Sequence, residues 1–153
     1  MLKKYVYVAI ACVYAGIIFY LSSLSSPPNP IKAEFLFQLY RLMKNAGVEF
    51  LAYPFYFAYR YPDKFVHMVL YMGFGFTLNP ALRNTVGKHT ELYSLAVGVS
   101  YGALDEFHQS FVPYRSASAA DLLADFFGLL ISQVIIFTVM YVKSIKGKAE
   151  RGE

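Results

Sequence analysis

The sequence predicts an all-α integral membrane protein: a single domain of four transmembrane helices, with an interfacial segment between the first two. Three observations predict it. Hydrophobic residues make up 57% of the 153-residue chain and charged residues 16%, against about 45–50% and about 25% in soluble domains. Four apolar runs have the length of a bilayer crossing, about 17–25 residues. The basic residues behind the net charge of +4 sit at the ends of those runs, which suits anionic headgroups and argues against nucleic acid as a partner. Tyr and Phe number 14 each and Trp is absent, so tyrosine takes the interfacial anchoring that tryptophan often supplies. The single cysteine, Cys12, excludes an internal disulfide.

The first run, residues 5–24, follows Lys3 and Lys4. It is longer than a signal-peptide core of about 7–15 residues and no A-x-A-like site follows, so an uncleaved helix is expected. The stretch SSPPNP, residues 25–30, stops it, because proline lacks an N–H and fixes φ. In the 31–61 connection, Ile31, Phe35, Leu39, Leu42, Met43 and Ala46 fall at helical spacing, opposite Lys32, Gln38, Arg41 and Lys44. That is an amphipathic helix, lying on the membrane or packed on its own bundle, with Gly47 ending it. The aromatic-rich residues 50–61 read as interfacial. The second transmembrane helix is expected over residues 65–82, the third over 92–113 and the fourth over 119–142. The 83–91 connection is short and polar, and 113–118 is a tight turn. Ser118 is a candidate N-cap with Asp121 three residues on. Gln133, a lone polar residue deep in the fourth run, is expected to bond across helices.

Four crossings put both termini on one side. That side carries Lys3, Lys4, Arg83, Lys88, Lys143, Lys146, Lys148 and Arg151 near helix ends; the other carries Lys32, Arg41, Lys44, Arg60, Lys64 and Arg115, spread mostly over the long connection. Positive residues favour the cytoplasm, so both termini are expected inside and the 113–118 turn outside.

The densest polar stretch is DEFHQSFVPYRSASAADLLAD, residues 105–125. Asp105, His108 and Gln109 share one helical face by their i, i+3, i+4 spacing, and Glu106 is directed about 100° away, towards Gln109 at i+3 or towards a solvated rim at the headgroups. Asp121 and Asp125 form a stripe on the fourth helix, and Lys64 and His67 lie a turn apart on the second. Lipid satisfies none of these groups, so the stripes must face one another or a wet cavity. His108, Asp105, His67 and Glu106 are the candidates for acid–base work. Arg115, Lys64, Gln109, Asp121, Asp125 and Ser116 are the candidates for ligand binding. Arg115, in the turn above the carboxylates, suits bidentate recognition of phosphate or carboxylate, or else pairs with Asp121. Two histidines and several carboxylates could hold a divalent ion, with Asp105, Glu106 or Asp125 among its ligands, but no H-E-x-x-H or similar spacing occurs, so no metal ligand set is assigned and the cofactor stays open.

The segments DKFVHMVLYMGFG (residues 63–75), DEFHQSFVPYRSASAADLLADFFG (105–128) and YLSSLSSPP (20–28) together resemble the VanZ-like family of small bacterial membrane proteins. Two positions depart from the family pattern: Tyr114 stands where glycine is usual, and Asp125 where asparagine is frequent. The resemblance implies a place in the bacterial cell envelope, in the cytoplasmic membrane, and a link to teicoplanin resistance. Three readings are open at this point. The polar pocket binds an anionic membrane lipid headgroup, a lipid-linked envelope precursor or a lipoglycopeptide; or it hydrolyses or transfers part of such a lipid; or it is interhelical glue in a structural protein. Oligomeric state is not legible in the sequence.

Overall fold

A computed structural model describes residues 2–27 and 32–151. Six helices make up most of it: α1 (Leu2–Ser22), α2 (Ala33–Asn45), α3 (Glu49–Arg60), α4 (Pro62–Val86), α5 (Thr90–Gln109) and α6 (Ala119–Ala149). No strand occurs among the described residues. Residues 28–31, which include half of the proline-rich stop, lie outside them.

Helices α1, α4, α5 and α6 form one bundle, and cross-helix bonds give their directions. Ser23 Oγ, just past the end of α1, lies 3.1 Å from Nε2 of His108, in the last turn of α5. His67 and Asp125, each in the second turn of its own helix, meet at 3.0 Å. Thus α1 and α5 end on the face where α4 and α6 begin. Lys4–Ser22, Pro62–Val86 and Ala119–Ala149 are long and apolar enough to cross a membrane. Helix α5 is 20 residues long, and its last two turns carry Asp105, Glu106, His108 and Gln109.

The core comprises Ala11, Ile18, Tyr71, Phe74, Leu78, Ala81 and Leu129. Two glycines let backbones approach. A Cβ on Gly128 would overlap the main chain of Met68 and Met72, and one on Gly75 would overlap Ser132. Small residues at helix crossings have this use in lipid, where association depends on close packing. Gln133 bonds across helices as expected: Asn79 Nδ2 donates to its Oε1 at 2.7 Å, and its Nε2 donates to the Gly75 carbonyl at 3.3 Å.

Several boundaries differ from the sequence reading. Helix α4 begins at Pro62, where a missing N–H costs nothing, and runs to Val86 through Pro80. Helix α6 continues past residue 142 to Ala149, because lysines are good helix formers and need no apolar contact. At 31 residues it is about 46 Å long, against about 30 Å of hydrocarbon, so its charged end clears the bilayer. Helix α5 stops at Gln109, and overlapping turns fill 110–115, before Ser118 enters α6 in an extended conformation.

The amphipathic helix expected after residue 31 is α2, closed by Gly47 at φ 75°. The aromatic stretch is itself a helix, α3, folded back on α2. Phe37 meets Tyr59 at 4.9 Å and Tyr40 meets Tyr56 at 5.1 Å between ring centroids, and Lys44 pairs with Glu49 at 3.4 Å across the turn. Phe35, Leu42, Phe50, Leu51 and Tyr53 remain exposed on this hairpin.

Candidate functional site

The site lies where α1 and α5 end and α4 and α6 begin. Helix α6 starts with Ser118, whose side chain accepts the Asp121 N–H at 3.3 Å. This cap fixes the first turn of α6 and turns Asp121 and Asp125 inward. Asp121 meets Lys64 Nζ at 2.5 Å, and Lys64 also meets Asp63 at 3.2 Å. One turn deeper, His67 Nδ1 and Asp125 Oδ1 pair at 3.0 Å, with Asp125 fully buried. From α5, Asp105 Oδ2 accepts Gln109 Nε2 at 2.9 Å. Glu106 Oε2 accepts the Ser118 backbone N–H at 2.6 Å, tying α5 to the start of α6.

Two cavities open on these groups. A small one of about 60 Å³ is lined by Ser22, Asp63, His67, Tyr71, Asp105 and Arg115, among others. A vestibule of about 430 Å³ is lined by Lys64, Arg115, Ser116, Ser118 and Asp121, among others. They share Pro27, Asp63, Gln109 and Arg115. The small cavity exceeds the ~10–15 Å³ that one water occupies on this measure, so it has room for several.

The structure regroups the residues proposed from sequence. Asp105, Gln109, Lys64, His67, Asp121 and Asp125 come together. Glu106, expected at a solvated rim, is buried with them, because the 110–118 connection folds over its side of α5. His108 does not share their space. Its ring packs 4.6 Å from the Phe19 ring and bonds Ser23 on α1. Arg115 does not pair with Asp121, which Lys64 takes. Among the described residues its guanidinium has no ion pair and no hydrogen bond, and it lines both cavities. Ser116 is exposed beside it in the vestibule. Sequence reasoning passed over Ser22, which lies buried on the cavity wall. The serine pair ending the first apolar run was the available signal.

Tyr114, immediately before Arg115, has φ 65° and is 97% exposed. The left-handed conformation costs a side-chain-bearing residue about 1–2 kcal/mol. A glycine avoids that strain, though it adds freedom to the unfolded chain. Tyr114→Gly is therefore expected to leave the melting temperature in detergent unchanged or raise it slightly. Tyr114→Val, with a branched Cβ, is expected to lower it by the equivalent of about 1–2 kcal/mol. The reverse order would show that no backbone strain resides at this turn.

Bundle and site together define a helical membrane protein with an ionisable cluster buried at one end of its helices. The chain belongs to the VanZ/LLP1 family, whose model matches residues 6–141. Comparison with curated proteins and with solved structures found no match.

Proposed function

We propose that this is a VanZ-type cell-envelope protein of the bacterial cytoplasmic membrane that binds the anionic headgroup of an amphiphile in its vestibule. In this reading α5 supplies a fourth crossing. Both termini lie in the cytoplasm, as the basic residues at their helix ends favour, and the vestibule faces outward. The observation that carries the reading is Arg115: a guanidinium with no ion pair or hydrogen bond among the described residues, lining both cavities, beside Ser116 and Ser118 in the vestibule. A planar fork of donors left unpaired near the membrane surface fits phosphate or carboxylate. Lys64 adds a second positive charge on the vestibule wall. Membrane phospholipid, lipid-linked envelope precursor and lipoglycopeptide share this chemistry.

Native mass spectrometry of the detergent-purified protein tests it. Wild type should retain phosphatidylglycerol over phosphatidylcholine. Arg115→Gln should lower that retention about tenfold or more, the loss of a charge-assisted contact of about 1.5–3 kcal/mol. Competition by a lipid-linked precursor or by teicoplanin would distinguish the sources. Equal retention of both lipids by wild type and variant would contradict the reading.

A second reading has one observation in its favour. His67 and Asp125 form a base–carboxylate pair, and the imidazole lines the small cavity below the vestibule. That arrangement suits proton abstraction from a water or hydroxyl held there. Turnover of a bound envelope lipid, lost in His67→Gln with binding retained, would establish hydrolysis or transfer.

A further inference from the structure

We propose that His67, Glu106 and Asp125 form a binding site for a divalent first-row transition ion, such as Zn²⁺ or Mn²⁺, beneath the headgroup vestibule. The three come from α4, α5 and α6, and each offers one ligand atom within 4.8 Å of the others. Two of them already stand at 3.0 Å, His67 Nδ1 and Asp125 Oδ1. Bond lengths of about 2.0–2.2 Å place neighbouring ligand atoms a little over 3 Å apart. Glu106, whose ligand atom lies within 4.8 Å of both, must come closer to complete the set.

The second observation is a set of buried oxygens without partners. Among the described residues, Glu106 Oε1, Asp125 Oδ2 and Asp105 Oδ1 make no hydrogen bond, and neither do the hydroxyls of Ser22 and Tyr71. All five residues are at most 5% exposed. Ser22, Tyr71 and Asp105 line the small cavity with His67. The Tyr71 ring edge and Asp125 Oδ2 flank the same spot, 3.3 and 3.2 Å from where a Cβ on Gly102 would stand. Unsatisfied buried polar atoms cost about 1–3 kcal/mol each; three of these residues line one cavity beside His67, and the other two are the carboxylates grouped with that imidazole, which indicates a ligand that uses them. A cation with waters does so: the carboxylates bind the ion, and the hydroxyls hold its waters.

Charge points the same way. Lys64 is taken by Asp121. Among the described residues, the one ion pair to Asp105, Glu106 or Asp125 is that of His67 with Asp125. An N,O,O donor set favours a first-row transition ion over Ca²⁺ or Mg²⁺, which take oxygen ligands. The assignment is independent of the headgroup reading, because Arg115 is not among the ligands.

Calorimetric titration of chelator-stripped protein in nanodiscs with ZnCl₂, and separately MnCl₂, tests it. One ion per chain is expected. Glu106→Gln and Asp125→Asn should each weaken binding at least about tenfold. Glu91→Gln, at the opposite end of the bundle, should leave it unchanged. Melting temperatures report whether each variant is folded. Should Asp125→Asn not fold, Glu106→Gln carries the test alone, since its Oε1 has no native bond to lose. Absence of stoichiometric binding of either ion by wild type, or binding indifferent to Glu106→Gln, overturns the assignment. Loss of phosphatidylglycerol binding in Arg115→Gln with the ion retained would separate the two sites.

Discussion

Gly128→Ala is expected to lower the melting temperature of the detergent-purified protein sharply, and Gly128→Leu to prevent the folded bundle from accumulating. The cause is backbone proximity. A Cβ at Gly128 would overlap the Met68 carbonyl and crowd the Met72 amide, and neither can rotate away. Forcing one methyl into a packed crossing costs about 1–3 kcal/mol, occasionally more; a leucine adds three further carbons. The effect reaches the site directly. Gly128 lies one turn after Asp125 on α6, and Met68 follows His67 on α4. The close crossing that glycine permits is what brings the imidazole and the carboxylate to 3.0 Å. Gly16→Ala supplies the control. Nothing lies within 4 Å of its Cβ position, and Gly→Ala within a helix is favourable by about 0.5–1 kcal/mol. Fluorescence-detected size exclusion after a heating series should therefore rank Gly16→Ala at or above wild type, with Gly128→Ala well below. Equal melting of the two alanine variants would show that α4 and α6 do not cross at Gly128.

The second large effect is an asymmetry at the His67–Asp125 pair. His67→Leu strips the partner from a carboxylate that is 0% exposed and lies near Asp105 and Glu106. Breaking a buried pair this way costs about 3–5 kcal/mol. Asp125→Leu leaves an imidazole, which can sit neutral beside the remaining acids, and should cost much less. The double variant His67→Leu/Asp125→Leu should recover most of what His67→Leu alone loses, since apolar replacement of a buried pair is often close to neutral. Chemical denaturation of the four proteins in mixed micelles gives the cycle. Additive losses in the double variant would mean the two side chains do not interact.

Much of the architecture was legible in the sequence because burial in lipid imposes strong rules. Apolar runs marked α1, α4 and α6; the Ser118 cap and the Gly47 stop followed from local backbone chemistry. Gln133, alone among apolar neighbours, had to bond across helices, and Asn79 answers it. Helix α3 escaped notice because Pro54 and dense aromatics resemble an irregular interfacial stretch, whereas only stacking on α2 makes it a helix.

The site was legible by membership but not by pairing. Helical spacing places Asp105, His108 and Gln109 on one side of α5, yet it does not say which neighbour each meets. His108 went to α1, whose serine end contributed nothing to the periodicity of α5. Glu106 turned inward because a backbone amide in the 110–118 connection needed an acceptor. Lys64 displaced Arg115 as partner of Asp121 because it sits on the helix packed against α6, not in a turn above it. The ligand trio His67, Glu106 and Asp125 has no motif spacing at all, since its members are 39 and 19 residues apart on separate helices.

Photo-crosslinking tests the headgroup claim most directly. A phosphatidylglycerol analogue with a diazirine in its headgroup is irradiated with the protein in nanodiscs, and the labelled peptides are mapped. Label is expected on residues 113–118 and 62–66, displaced by unlabelled phosphatidylglycerol but not by phosphatidylcholine, and largely absent in Arg115→Gln. Label scattered over the lipid-facing helices, with the same pattern in Arg115→Gln, would contradict an anion-binding vestibule under Arg115.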